Sequence, residues 1–81
     1  MFIERRIKMN KTLLASVMVK NKDTQSTLAS AMGLSLSRLN AKINERDDAA
    51  FTQSEMAFII NRYKLSSDEA MSIFFSSLVA S

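Results

Sequence analysis

Apolar residues recur every three or four positions along most of this chain, the spacing that places them on one face of a helix. Leu13, Leu14, Val17 and Met18 form the first such face. Asn10 stands where an N-cap would begin it, so a first helix is predicted from there to roughly Val19. "KNKD" interrupts the pattern. Asp23 or Thr24 then caps a second helix, with Leu28, Ala29 and Met32 inward. Gly33 ends it, because glycine readily takes the left-handed conformation that closes a helix. Ser35 caps a third helix, which carries Leu39 and Ile43 at i and i+4.

"NERDDAA" reads as a polar connection, and two strongly marked starts follow it. In "FTQSEM", Thr52 and Glu55 have the spacing of a capping box, with Phe51 and Met56 placed as a hydrophobic staple. The helix so begun turns Met56, Ile59, Ile60 and Tyr63 inward. "LSSDEA" repeats the device with Ser66 and Glu69 as the box and Leu65 and Ala70 as the staple. The fifth helix is apolar around much of its circumference, through Met71, Ile73, Phe74, Phe75, Leu78 and Val79. With no proline and one glycine, the chain has little from which to build hairpins, and the fold class is expected to be all-α with five helices. Residues 1–9 are expected to be an N-terminal extension and residues 10–81 a single domain.

Composition narrows the chemistry. The 81 residues suit one small domain, and 47% apolar content supports a compact but thin core. Cysteine and histidine are both absent, which removes disulfides, thiolate ligands, the usual general base and the usual zinc ligand. Nothing suggests catalysis, a metal or a cofactor. The longest apolar run, Met56 to Ile60, is far short of a membrane span. "MFIERRIKMN" lacks the apolar stretch of a secretory signal, so a soluble cytoplasmic protein is expected. The net charge of +3 is unevenly spread. Residues 1–46 hold nine Lys/Arg against three acids, a balance of +6; residues 47–81 hold two against five, a balance of −3. A basic half suits a polyanionic partner, and solvated lysines are the plainer alternative.

Two short helices joined at a glycine describe a helix-turn-helix at about residues 24–44. Ala29 is the small residue where the helices would cross, Gly33 the turn, and Leu34 and Leu39 the apolar pair that closes the corner. The spacing of Gln25, Ala29, Gly33 and Leu39, with the five-helix arrangement, resembles the lambda-repressor-like, Xre/Cro family of helix-turn-helix proteins, above all the small Cro-like regulators of phages and prophages. The resemblance covers residues 10 to about 75. "AMGLS" entering the third helix is typical of the family, and "FTQSEM" and "LSSDEAMSIFF" resemble its fourth and fifth helices. Lys42 departs from the pattern: many members have a core aliphatic there, and Ile43 is expected to take that role.

The resemblance implies a sequence-specific double-stranded DNA-binding transcriptional regulator of a bacterial host, associated with the nucleoid, whose third helix enters the major groove. A helical wheel turns Leu39 and Ile43 inward and Ser37, Ala41 and Asn44 outward, with Arg38 and Asn40 on the flanks. Ser37, Arg38, Ala41 and Asn44 are therefore the candidate base readers, Arg38 through a bidentate contact to guanine. Gln25, Ser35, Asn40, Lys42 and Arg46 are the candidate DNA-backbone contacts, Gln25 by family resemblance. Leu36 falls near the buried side of the wheel and burial is the favoured expectation, although its place at the helix start also allows groove contact. The surplus apolar surface of the fifth helix has two uses open to it. Ile73, Phe74, Phe75, Leu78 and Val79 form either a homodimer interface or the completion of a thin core. The competing function is a protein-interaction module that modulates a phage repressor instead of binding an operator.

Overall fold

The computed structural model describes residues 9–75. It contains five α-helices: α1 (Lys11–Lys20), α2 (Gln25–Met32), α3 (Leu36–Asn44), α4 (Gln53–Tyr63) and α5 (Ser67–Phe74). A single 3-10 turn, Arg46–Asp48, stands between α3 and α4, and there is no strand among the described residues. No helix is long and apolar enough to cross a membrane among the described residues.

Every start is set locally. The residue before each helix, in turn Asn10, Thr24, Ser35, Thr52 and Ser66, accepts a first-turn backbone N–H with its side-chain oxygen. Each cap satisfies a donor the helix cannot, a contribution of about 1 kcal/mol. Thr24, not Asp23, takes the second of these positions. Both capping boxes close. The Thr52 N–H donates to Glu55 Oε1 at 2.9 Å while the Glu55 N–H donates to Thr52 Oγ1 at 3.1 Å. Ser66 and Glu69 repeat this at 2.8 and 3.1 Å.

Three helices end in the same left-handed closure, but only one of them uses glycine. At Gly33 (φ 73°) the Gly33 N–H donates to Ser30 O at 3.2 Å and the Leu34 N–H to Ala29 O at 2.9 Å. Lys22 (φ 56°) closes α1 and Lys64 (φ 52°) closes α4 with the same pair of bonds. The connection after α3 is also left-handed, at Glu45, Asp47 and Asp48.

Each helix sends one fully buried aliphatic to a common core: Leu14, Leu28, Leu39, Ile59 and Ile73. Ala29 is 2% exposed where α2 packs on α3, so the small side chain lets the backbones approach. Phe51 and Phe74 meet edge to face, with centroids 6.1 Å apart. Ile73 and Phe74 are thus core residues, at 0% and 3% exposure, and neither is available as a dimer surface. The reason is the thinness of the core: four helices leave one side open, and α5 closes it, with its chain end tied to the Asn10 N–H, which donates to Ile73 O at 2.7 Å. Phe75 is half-buried against the same core, and Leu78 and Val79 lie outside the described residues.

One polar cluster fastens the α1–α2 turn to α4. Arg62 donates to Asp23 from Nε at 2.8 Å and from Nη2 at 3.3 Å, and the Tyr63 hydroxyl donates to Asp23 at 2.6 Å. The Arg62 guanidinium, aided by the Tyr63 hydroxyl, holds the Asp23 carboxyl below its ordinary pKa despite its burial. Burial and the Asp23 charge push the Tyr63 phenol upward.

Candidate nucleic-acid interface

An open cleft of about 590 Å³ lies between the start of α2 and the first half of α3. Thr24, Gln25, Ser26, Leu36, Ser37, Asn40 and Arg46 line it, and no carboxylate is among them. Local capping explains the placement. Thr24 and Ser35 begin their helices in extended conformations, and the closure at Gly33 brings the second start beside the first.

Asn40 is the hub of this face. Its side-chain N–H donates to Gln25 Oε1 at 3.2 Å, which joins α3 to the start of α2. Its Oδ1 accepts from Arg46 Nη2 at 2.7 Å and from Asn44 Nδ2 at 3.3 Å. Asn44 in turn donates to Asn40 O at 2.9 Å and accepts from the Lys11 ammonium at 2.8 Å. Lys11 therefore belongs to this face, although it begins α1, thirty-three residues away in sequence. Sequence reasoning missed it because the pairing of α1 with the end of α3 leaves no local signal.

The candidate base readers fare unequally. Ser37 and Arg38 are exposed on the first turn of α3. Ala41 is half-buried, and Asn44 is exposed but engaged with Asn40 and Lys11. Among the candidate backbone contacts, Gln25 and Asn40 are half-buried in the hub and Arg46 is exposed. The Ser35 hydroxyl accepts the Arg38 N–H at 3.1 Å as the cap of α3.

Two expectations are corrected. Lys42 is not on the outer face. It is 8% exposed, and its ammonium donates to Ala50 O at 3.1 Å and to Glu55 Oε1 at 3.0 Å. Its methylene stem lies in the place of a core aliphatic, and its charged end reaches acceptors beyond the helix. Glu55 Oε1 thus serves two donors, the Thr52 N–H of the capping box and the Lys42 ammonium. Burial alone would raise the Glu55 pKa, but these two bonds outweigh it and leave it lowered. Leu36 is the second correction: at 49% exposure it stands in the cleft, because Leu39 and Ile43 already fill the inward side of α3.

Among the described residues no group of three or more acidic side chains gathers in a way that would hold a metal ion. No protein-family model matches the chain, and no curated protein or solved structure matches it either.

Proposed function

We propose that the chain is a sequence-specific double-stranded DNA-binding regulator of transcription, similar to the Cro-like members of the lambda-repressor-like helix-turn-helix family, with α2 and α3 as its helix-turn-helix. The observation that carries the proposal is one polar face. Gln25, Asn40, Arg46, Asn44 and Lys11 form a connected hydrogen-bonded set beside the exposed Ser37 and Arg38, and the cleft they border is lined by no acid.

The chemistry fits a duplex. In this docking mode the start of the second helix faces the base edges, and flanking side chains hold the phosphates. Arg38 offers a planar donor pair suited to guanine O6 and N7. Arg46 and Lys11, bonded to Asn40 and Asn44, bring positive charge to α3, and the backbone N–H groups at the start of α2, next to Gln25, favour an anion. The Asn40 hub orders Gln25 and Arg46 before any partner arrives, which reduces the ordering cost of binding.

The test is selection of bound duplexes from a random-sequence pool by the full chain, followed by titration of the selected duplex at several salt concentrations. The expected result is a defined consensus whose affinity falls as salt rises, through counterion release. A two-fold consensus would mark a pair of copies on one site. A chain that enriches no sequence and binds no duplex sinks the proposal and leaves the repressor-modulating module as the better account.

A further inference from the structure

We propose that Leu36 determines sequence preference by receiving the 5-methyl group of a thymine in the major groove; the inference rests on the DNA-binding reading above. Leu36 is the first residue of α3 and is 49% exposed, so the core does not account for it. Leu39 and Ile43, at 0% and 6% exposure, already supply the inward face of the helix. The other large exposed apolar residues, Val19, Phe58 and Met71, lie outside the cleft. Leu36 is the one apolar side chain among the cleft-lining residues, which include Ser37 and Asn40 from its own helix and Gln25 from α2.

Position and chemistry point the same way. The Ser35 hydroxyl is occupied as the cap, so Leu36, Ser37 and Arg38 are the first side chains of α3 free to meet a groove. In the major groove the base edges present donors, acceptors and a single apolar feature, the thymine 5-methyl. Serine, asparagine, glutamine and arginine can answer the donors and acceptors. Leu36 matches the methyl, and burying that methyl against it removes both apolar surfaces from water.

The experiment uses duplexes selected by the wild-type chain, remade with uracil in place of thymine at one position at a time. Uracil keeps the pairing edge and loses only the methyl. At one position the wild-type chain should bind the uracil duplex about fourfold more weakly, the ratio that corresponds to about 0.8 kcal/mol for one buried methyl. Leu36→Ala should bind the thymine and uracil duplexes alike. Leu36→Met, which keeps an apolar reach, should retain discrimination. If no uracil substitution weakens the wild-type complex, or if Leu36→Ala shows the same loss at the same position, the inference is overturned while DNA binding stands. If the wild-type chain binds no duplex, the DNA-binding reading fails and this inference fails with it.

Discussion

The two halves of α3 differ in what they touch. Leu36, Ser37 and Arg38 in the first turn are exposed, whereas Leu39, Lys42 and Ile43 in the rest of the helix are buried. Arg38 and Lys42 sharpen the contrast, because both are cationic and they stand one turn apart on nearly the same face. Lys42 is bound to Ala50 O and Glu55, while the Arg38 guanidinium takes no side-chain partner among the described residues. The C-terminal half of α3 is therefore held inward by Leu39, Ile43 and the bonds of Lys42, a residue whose charge places it among the candidate DNA-backbone contacts. A helix fastened at one end and exposed at the other is suited to present its free turn to something else.

Breaking the fastened half should have the largest effect. Lys42→Ala removes the packed stem and leaves Glu55 without its cation, and it should lower unfolding free energy by about 1–3 kcal/mol. Lys42→Met keeps most of the stem and should be milder. Urea denaturation of the two variants checks both. If Lys42→Ala keeps wild-type stability and instead flattens the salt dependence of duplex binding by about one unit, the contrast between the halves is wrong and Lys42 meets phosphate.

The free half should respond in the opposite way. Arg38→Ala should leave stability within about 0.5 kcal/mol, since the guanidinium is exposed. It should cost roughly 1–3 kcal/mol at the preferred duplex and relax preference at one base position. Binding to the selected duplex and its single-base mismatches measures this. An equal loss on every sequence would make Arg38 a phosphate contact.

The turn that joins the halves to α2 comes next in size. Gly33 has φ 73°, and a β-carbon there would meet no atom within 4 Å. The cost of Gly33→Ala is therefore conformational and not steric, about 1–2 kcal/mol. Gly33→Val should cost more, because a β-branched residue resists positive φ, and Gly33→Asn less. Thermal unfolding of the three variants gives the order. The lysines at Lys22 and Lys64 already bear a left-handed conformation without glycine. Lys64→Gly should accordingly raise the midpoint slightly.

What the sequence made legible was mostly local. The caps at Asn10, Thr52 and Ser66, the two boxes and the Gly33 closure are interactions between residues at most five apart, and each was readable from residue type and spacing. The inward Leu28, Leu39 and Ile59 followed from helical period. What was misassigned, left open or not read involves a distant partner. Lys42 pairs with Glu55 thirteen residues on, Asp23 with Arg62 thirty-nine on, and Lys11 with Asn44 thirty-three on. The wheel favours burial of Leu36, whereas its place at the helix start, with no preceding turn to cover it, leaves it exposed. The apolar excess of α5 was legible as a surplus, but its use was not. Whether Ile73 and Phe74 face a second copy or the core depends on how much of the core the other four helices leave open. On the candidate face, Ser37, Arg38 and Gln25 were readable in position, while the hub at Asn40 needed three dimensions.

Acid should produce the smallest and most selective effect, confined to the fastened side. Asp23 and Glu55 both have lowered pKa values, the first through Arg62 and the second through Thr52 and Lys42 against opposing burial. A carboxyl whose folded pKa lies below its unfolded value stabilises the fold above the unfolded value, about 4 for these groups. That contribution is lost as pH falls through the folded value. Stability should thus decline below about pH 4, and the two pairs can be separated by variants. The stability gap between the wild type and Lys42→Met should narrow as pH falls, because protonated Glu55 no longer benefits from the ammonium. The gap between the wild type and Asp23→Asn should narrow in the same range, as Arg62 loses its anionic partner. Urea denaturation at a series of pH values from neutral to about 2.5 measures both. Arg38→Ala serves as the control from the free half, and its gap should stay flat across the series. A Lys42→Met gap as flat as that of Arg38→Ala would mean that the Lys42–Glu55 pair does not hold α3 in place, and the fastened half would then owe its rotation to Leu39 and Ile43 alone.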